Sequence, residues 1–141
     1  MRPPPLEPIA RRYVGLDEAG RLADPDLRMR LAAHLIDARA HELTLARVLA
    51  ESRGASGASN AASVLKNSAT AIAQGRAELL VEMMGGNGLA WEGEPFQPEE
   101  IDLVRQWLFG KAMSIYGGSA EIQNNIISKR ILGLPDMTKS A

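Results

Sequence analysis

Two glycine-rich stretches carry the residue types and spacings that could hold a ligand. The segment Tyr116-Gly117-Gly118-Ser119-Ala120-Glu121-Ile122-Gln123 sets two glycines directly before a residue type that caps helices. Glycine permits close backbone approach, and the first N–H groups of a helix point outward unpaired, so the segment suits an anion or the polar edge of a cofactor. The same residues also make an ordinary turn and cap, and local physics leaves both readings open. Tyr116 either lies beside a ligand or closes the helix junction. Upstream, Glu82-Met83-Met84-Gly85-Gly86-Asn87-Gly88 breaks a helical pattern with three glycines in four residues. Met83 and Met84 read better as core filler than as a pocket lining.

Other reactive residue types offer less. His34 and His41 are seven residues apart, but no acidic pair completes a zinc geometry around them, so no metal site is assigned. Cysteine is absent, which removes disulfides, thiolate metal sites and a cysteine nucleophile. Trp91 and Phe96 suit a cover for one end of a helical core, or a subunit contact.

Four helices are needed to position these stretches. Asp24 can cap and Pro25 can begin a helix running to about Arg53, with Gly54 as its stop. Leu27, Leu31, Leu35, Ala38, Leu45 and Leu49 recur near helical spacing on it, and Ile36 and Leu43 widen the apolar face. After the small-residue linker from Gly54 to Ser59, Ser59 or Asn60 can cap a second helix through Met84, with Val64, Leu65, Ile72, Leu79, Leu80 and Met83 inside. Pro98, Glu99 and Glu100 open a third, with Ile101, Val104, Leu108, Ala112 and Ile115 on one side. Ser119 caps the last, whose final turn carries Lys129 and Arg130 before Gly133 and Pro135. No segment alternates apolar and polar residues as a strand would. The expected fold is all-α, an antiparallel bundle of four main helices over residues 24–135. A partly irregular extension, 1–23, precedes it and a tail, 136–141, follows.

The 16 basic and 17 acidic residues of the 141 nearly cancel, and they are interleaved, so no basic stripe predicts nucleic-acid binding. The first residues contain prolines at positions 3, 4, 5 and 8 but no apolar signal region, and no run approaches a membrane span. A cytoplasmic protein without a membrane segment is expected.

The run from Tyr116 to Pro135 resembles the C-terminal signature of the acyl-CoA dehydrogenase family, without a gap. That signature reads Tyr-(Glu or Gly)-Gly-(Thr or Ser)-x-Glu-Ile-Gln-x-Asn-Ile-Ile and closes near Leu-Gly-Leu-Pro. The stretch from Glu82 to Gly88 is similar to the family's Gln-x-x-Gly-Gly-x-Gly, in the same order and with a helix between. The resemblance covers most of the chain from Asp24 onward. It implies the C-terminal helical domain of a flavoenzyme that removes hydrogen from the α and β carbons of acyl-CoA thioesters. The N-terminal helical and central β domains of that family find no counterpart in the 141 residues.

By position, Glu82, Gly85, Gly86, Ser119, Ala120 and Glu121 inherit contacts to FAD, the first three to its ADP part. Tyr116, Gly117 and Gly118 inherit the acyl thioester end of the substrate. The resemblance further implies an electron-transfer flavoprotein or similar acceptor, and a homo- or hetero-oligomer, dimer or tetramer. Two departures stand out. Glu82 replaces the usual glutamine, exchanging an amide donor for an acceptor. Gly117 stands where many members carry the catalytic glutamate, and glycine cannot accept a proton. No catalytic residue is therefore named. The isolated chain is expected to be inactive, and the alternative is a non-catalytic helical oligomerisation or partner-subunit module.

Overall fold

The computed structural model describes residues 4–54 and 62–135. Among them are five α-helices: α1 Leu6–Tyr13, α2 Pro25–Gly54, α3 Ala62–Met83, α4 Pro98–Gly110 and α5 Ala120–Ile126. No strand forms among the described residues, which hold only an isolated antiparallel bridge between Leu16 and Leu22. The all-helical expectation is met. Its four main helices are α2 to α5, while the cap expected at Ser59 or Asn60, the linker before it and the C-terminal tail lie outside the described residues.

The helix starts follow local chemistry. The Asp24 carboxylate accepts the Leu27 N–H at 2.9 Å, and Pro25, which has no N–H to lose, begins α2. At α4, Pro98 begins the helix and the Glu100 carboxylate accepts the Gln97 N–H at 2.8 Å. The unexpected helix is α1, built in the proline-rich extension. Pro8 is its third residue, where helical N–H groups have no internal partner, so the ring costs no hydrogen bond.

The chain divides into two compact units, Met1–Ile36 with Ala73–Lys111, and Asp37–Ile72 with Ala112–Ala141. In the first, Leu6, Ile9 and Ala10 of α1 share a core with Leu27 and Leu31, with Leu79, Leu80, Met83 and Met84, with Ala90, and with Leu103 and Val104. Phe96 and Trp107 pack against it, so Phe96 covers core as expected, whereas Trp91 is 52% exposed with the Arg105 guanidinium over its ring. Leu35 and Ile36, assigned to the core by periodicity, are exposed at 54% and 69%. Spacing locates an apolar stripe; it does not say how much of the stripe the described residues cover.

Among the described residues of the second unit Val48, Thr70 and Gln123 are buried, while Leu43, Leu45, Leu49 and Val64 are exposed. Polar pairs tie its segments. Asn67 Nδ2 donates to Asn124 Oδ1 at 2.9 Å, and His41 Nδ1 lies 2.8 Å from the Ser68 hydroxyl. The Ser68 hydroxyl proton goes to the Leu65 carbonyl, so His41 Nδ1–H is the donor of that contact. The last helix widens after Ile126 into a π turn over Ile127–Ile131.

Candidate functional site

The first glycine turn follows directly on α3. After Met84 the backbone reverses hand at Gly85, with φ +56°, and a 3₁₀ turn runs over Gly85–Leu89. Two of the turn's glycines have separate reasons to be glycine. Gly85 needs the left-handed region. Gly88 is buried, and a Cβ there would meet the Val81 carbonyl oxygen at 2.4 Å. Gly86 has neither reason: its φ is not left-handed and its Cβ position is open space. Nothing among the described residues demands glycine at 86, and its exposed backbone is open to approach from outside.

Glu82 lies one helical turn earlier, and its carboxylate is forked onto the Arg30 guanidinium. Nη1 reaches Oε2 at 2.9 Å and Nη2 bonds Oε1. Arg30 Nε also donates to Asp26 at 2.9 Å, and the Glu82 hydrogen bonds hold the guanidinium's proton affinity above its ordinary value. The acceptor that replaced the family's amide is thus matched by a donor 52 residues away. No sequence motif announces that pairing.

Behind the turn lies a buried carboxylate, Glu100, which the sequence marks only as one of the residues that open α4. Glu100 is 2% exposed and accepts hydrogen bonds from the Tyr13 hydroxyl at 2.5 Å, the Asn87 amide at 2.8 Å and the Gln97 N–H at 2.8 Å. The Tyr13 bond, then the Gln97 N–H, hold its pKa below the usual carboxylate value. Burial, then Glu100, pushes the Tyr13 hydroxyl up to about 12. Asn87 of the glycine turn, the start of α4 and the end of α1 therefore meet on one charged group.

The second turn belongs to the other unit. Gly117 and Gly118 have φ +71° and +94°, both left-handed, and Tyr116 beside them is 54% exposed. Gln123, buried on α5, donates from Nε2 to the Gly117 carbonyl at 2.9 Å. A Cβ on Gly118 would lie 2.7 Å from that same nitrogen. Ser119 does occupy the N-cap position with extended backbone, and its carbonyl accepts the Gln123 N–H at 2.9 Å. Its side chain makes no cap bond; the hydroxyl instead bonds the Glu121 carboxylate. That bond, with Glu121's own N–H and the charge of Lys66, lowers the Glu121 pKa. Ala120 and Glu121 are exposed on the first turn of α5.

Glu82, Gly85 and Gly86 thus lie together at one turn, and Tyr116 to Glu121 at the other. Arg30, Glu100 and Gln123 are additions. Gln123 sits inside the quoted motif and could have been marked there, whereas Arg30 and Glu100 act through partners distant in sequence. Among the described residues no three or more His, Asp or Glu side chains gather as a metal site would require. No described helix is long and apolar enough to cross a membrane.

Comparison with known proteins gives one consistent match. The family described as "Acyl-CoA dehydrogenase, C-terminal domain" matches residues 9–132. "Acyl-CoA dehydrogenase IpdE1" of Mycolicibacterium smegmatis is 44% identical over 62 residues, and that of Mycobacterium tuberculosis 42% over 62. Each match takes in 44% of this chain and 15% of the relative. Among solved structures, a chain of the ChsE4-ChsE5 complex from Mycobacterium tuberculosis superposes with a TM-score of 0.71 at 25% identity, over 93% of this chain and 34% of the other.

Proposed function

Because this chain belongs to the acyl-CoA dehydrogenase family through its C-terminal domain, we propose that it supplies the helical part of a flavin-dependent site for α,β-dehydrogenation of acyl-CoA thioesters. A bound FAD would supply the acceptor for the hydride that leaves the β carbon. The chain's own share is to bind and orient. Gly85 and Gly86 offer exposed backbone to the ADP part of the cofactor, with Glu82 held aside by Arg30. Ser119, Ala120 and Glu121 form the edge toward the flavin, and Tyr116, Gly117 and Gly118 face the acyl thioester. Gly117 has no side chain to take the α proton, so this turn orients the substrate without acting as its base. An electron-transfer flavoprotein or similar acceptor would receive the electrons. A cytoplasmic location and assembly into a dimer or tetramer complete the proposal.

Gly86 carries this reading. Its glycine is unexplained by conformation or internal packing and is explained by a ligand that approaches the backbone closely. The test is an NMR titration of the purified chain with millimolar ADP and, separately, a short acyl-CoA. Amide shifts at Gly85, Gly86 and Asn87 with ADP, and at Gly117 and Gly118 with the thioester, are expected. Unmoved amides at both turns overturn the proposal. The chain alone is expected neither to retain FAD nor to reduce a dye with acyl-CoA; full turnover would contradict that expectation.

One observation favours a second reading, a non-catalytic oligomerisation or partner-subunit module: position 117 is glycine, without the carboxylate that the chemistry needs. The structural relative at 25% identity comes from a complex of two named chains, which accords with association. Binding of neither ADP nor thioester, together with concentration-dependent self-association, would select it.

A further inference from the structure

The Gly117-Gly118 turn has no side chain with which to contact a ligand, so whatever it presents is a peptide group. Which end of that group faces outward is a physical question with two answers. A Gly-Gly link has the widest conformational freedom of any dipeptide, and rotation of its peptide plane by about 180° exchanges an outward N–H for an outward C=O. One orientation suits a ligand acceptor and the other a ligand donor.

Gln123 decides between them. Its side chain is 9% exposed, and Nε2 holds the Gly117 carbonyl at 2.9 Å. In a planar trans peptide the C=O and the following N–H point in opposite directions, so drawing the Gly117 carbonyl toward Gln123 turns the Gly118 N–H away from it. Among the described residues no acceptor takes that N–H. Gly118 is half-buried and Gly117 beside it is exposed, so this N–H stands open to an acceptor oxygen that approaches from outside. The missing Cβ of Gly118 belongs to the same arrangement, since that atom would sit 2.7 Å from the Gln123 nitrogen. The buried amide and the glycine beside it fit one another.

We infer that Gln123 is a positioning residue that fixes the Gly117–Gly118 peptide with its N–H outward, so that the turn hydrogen-bonds an acceptor oxygen of the bound molecule, the carbonyl of an acyl thioester. The inference rests on the proposed function for the identity of that oxygen, but not for the orientation of the peptide. Gln123 itself touches no ligand. It acts through the Gly117 carbonyl, and its removal frees the turn to present either polarity.

The experiment uses the full chain and two variants, Gln123→Met, similar in shape but without a donor, and Gln123→Glu, an isostere that keeps an oxygen where the amide nitrogen was. Residual dipolar couplings report the orientation of the Gly117–Gly118 plane, and circular dichroism reports that the helices remain. The expected result is one fixed plane in the unaltered chain, and averaged or split Gly118 signals in Gln123→Met with helical content retained. Acyl-CoA affinity, followed by the Gly118 amide shift, is expected to fall about tenfold, the loss of roughly one hydrogen bond. Should Gln123→Met unfold the chain, Gln123→Glu is read at low pH, where the protonated carboxyl can donate and the plane is expected to be restored, and near neutrality, where it is expected to be lost. An unchanged plane in every folded variant overturns the inference. If the unaltered chain shows the fixed plane but ignores acyl-CoA, the substrate reading fails while the role of Gln123 in orienting the peptide stands.

Discussion

The Tyr13 hydroxyl donates to the Glu100 carboxylate at 2.5 Å, joining two residues 87 positions apart. Both are perturbed by it in a mutually supporting sense. The Glu100 pKa is lowered, so its contribution to stability is present above the ordinary carboxylate range and is lost as pH falls through the lowered value. The Tyr13 pKa is raised from 10.0 to about 12, so its contribution is whole below 10 and disappears as pH climbs from there toward 12. Tyr13→Phe is expected to cost about 1–2 kcal/mol in urea unfolding near neutrality. That difference from the unaltered chain is expected to stay flat from about pH 5 to 10 and to shrink on both flanks. A difference that instead grows above pH 10 would show that the pair is misassigned.

Ile9→Ala tests whether α1 is part of the core. Ile9 is buried with Leu6 and Ala10 against residues of α2, α3 and α4. Large-to-small replacements at such sites cost about 2–5 kcal/mol. A loss under about 0.5 kcal/mol in chemical denaturation would mean that α1 is only lightly attached.

Gly86 and Gly88, two residues apart, are expected to respond in opposite ways to alanine. Gly88→Ala drives a methyl into the Val81 carbonyl and is expected to destabilise by roughly 1–3 kcal/mol. Gly86→Ala meets open space and a φ that alanine accepts, and is expected to change stability by no more than about 0.5 kcal/mol. The same Gly86→Ala chain should lose most of the ADP-induced amide shifts. Equal melting behaviour of the two variants would contradict this division of roles.

Gly118→Ala combines two penalties, a left-handed φ of +94° and a Cβ 2.7 Å from Gln123 Nε2. A cost of about 1–3 kcal/mol is expected, with displacement of the Gln123 side-chain amide signals in an NMR spectrum. Gly117→Ala, whose Cβ meets nothing within 4 Å, should pay only the backbone term and leave those signals in place. Equal displacement by the two variants would remove the steric argument.

What was legible in the chain was local. Asp24-Pro25 and Pro98 mark helix starts because a cap and a proline act within four residues, and both starts fall where they were expected. The glycine turns at 85 and 117 were legible for the same reason. The first helix was hidden because Pro8 reads as a breaker until the start at Leu6 puts it in the first turn, where no bond is forfeited. On α2, periodicity identified Leu27 and Leu31 correctly, yet Leu35, Leu43 and Leu49 carry the same signal and are exposed. Hydrophobic spacing records a face, whereas burial depends on what is laid against it. Arg30 with Glu82 and Tyr13 with Glu100 were beyond reach, because each pair is made by tertiary approach across tens of residues.

The absence of room for a Cβ between Gly88 and the Val81 carbonyl has a mechanical corollary. With no side chain to act as a spacer, the 3₁₀ turn lies flush against the last coil of α3. A side chain at position 88 would act as a wedge there, levering the turn, and with it the exposed backbone of residues 85 and 86, off the end of that helix.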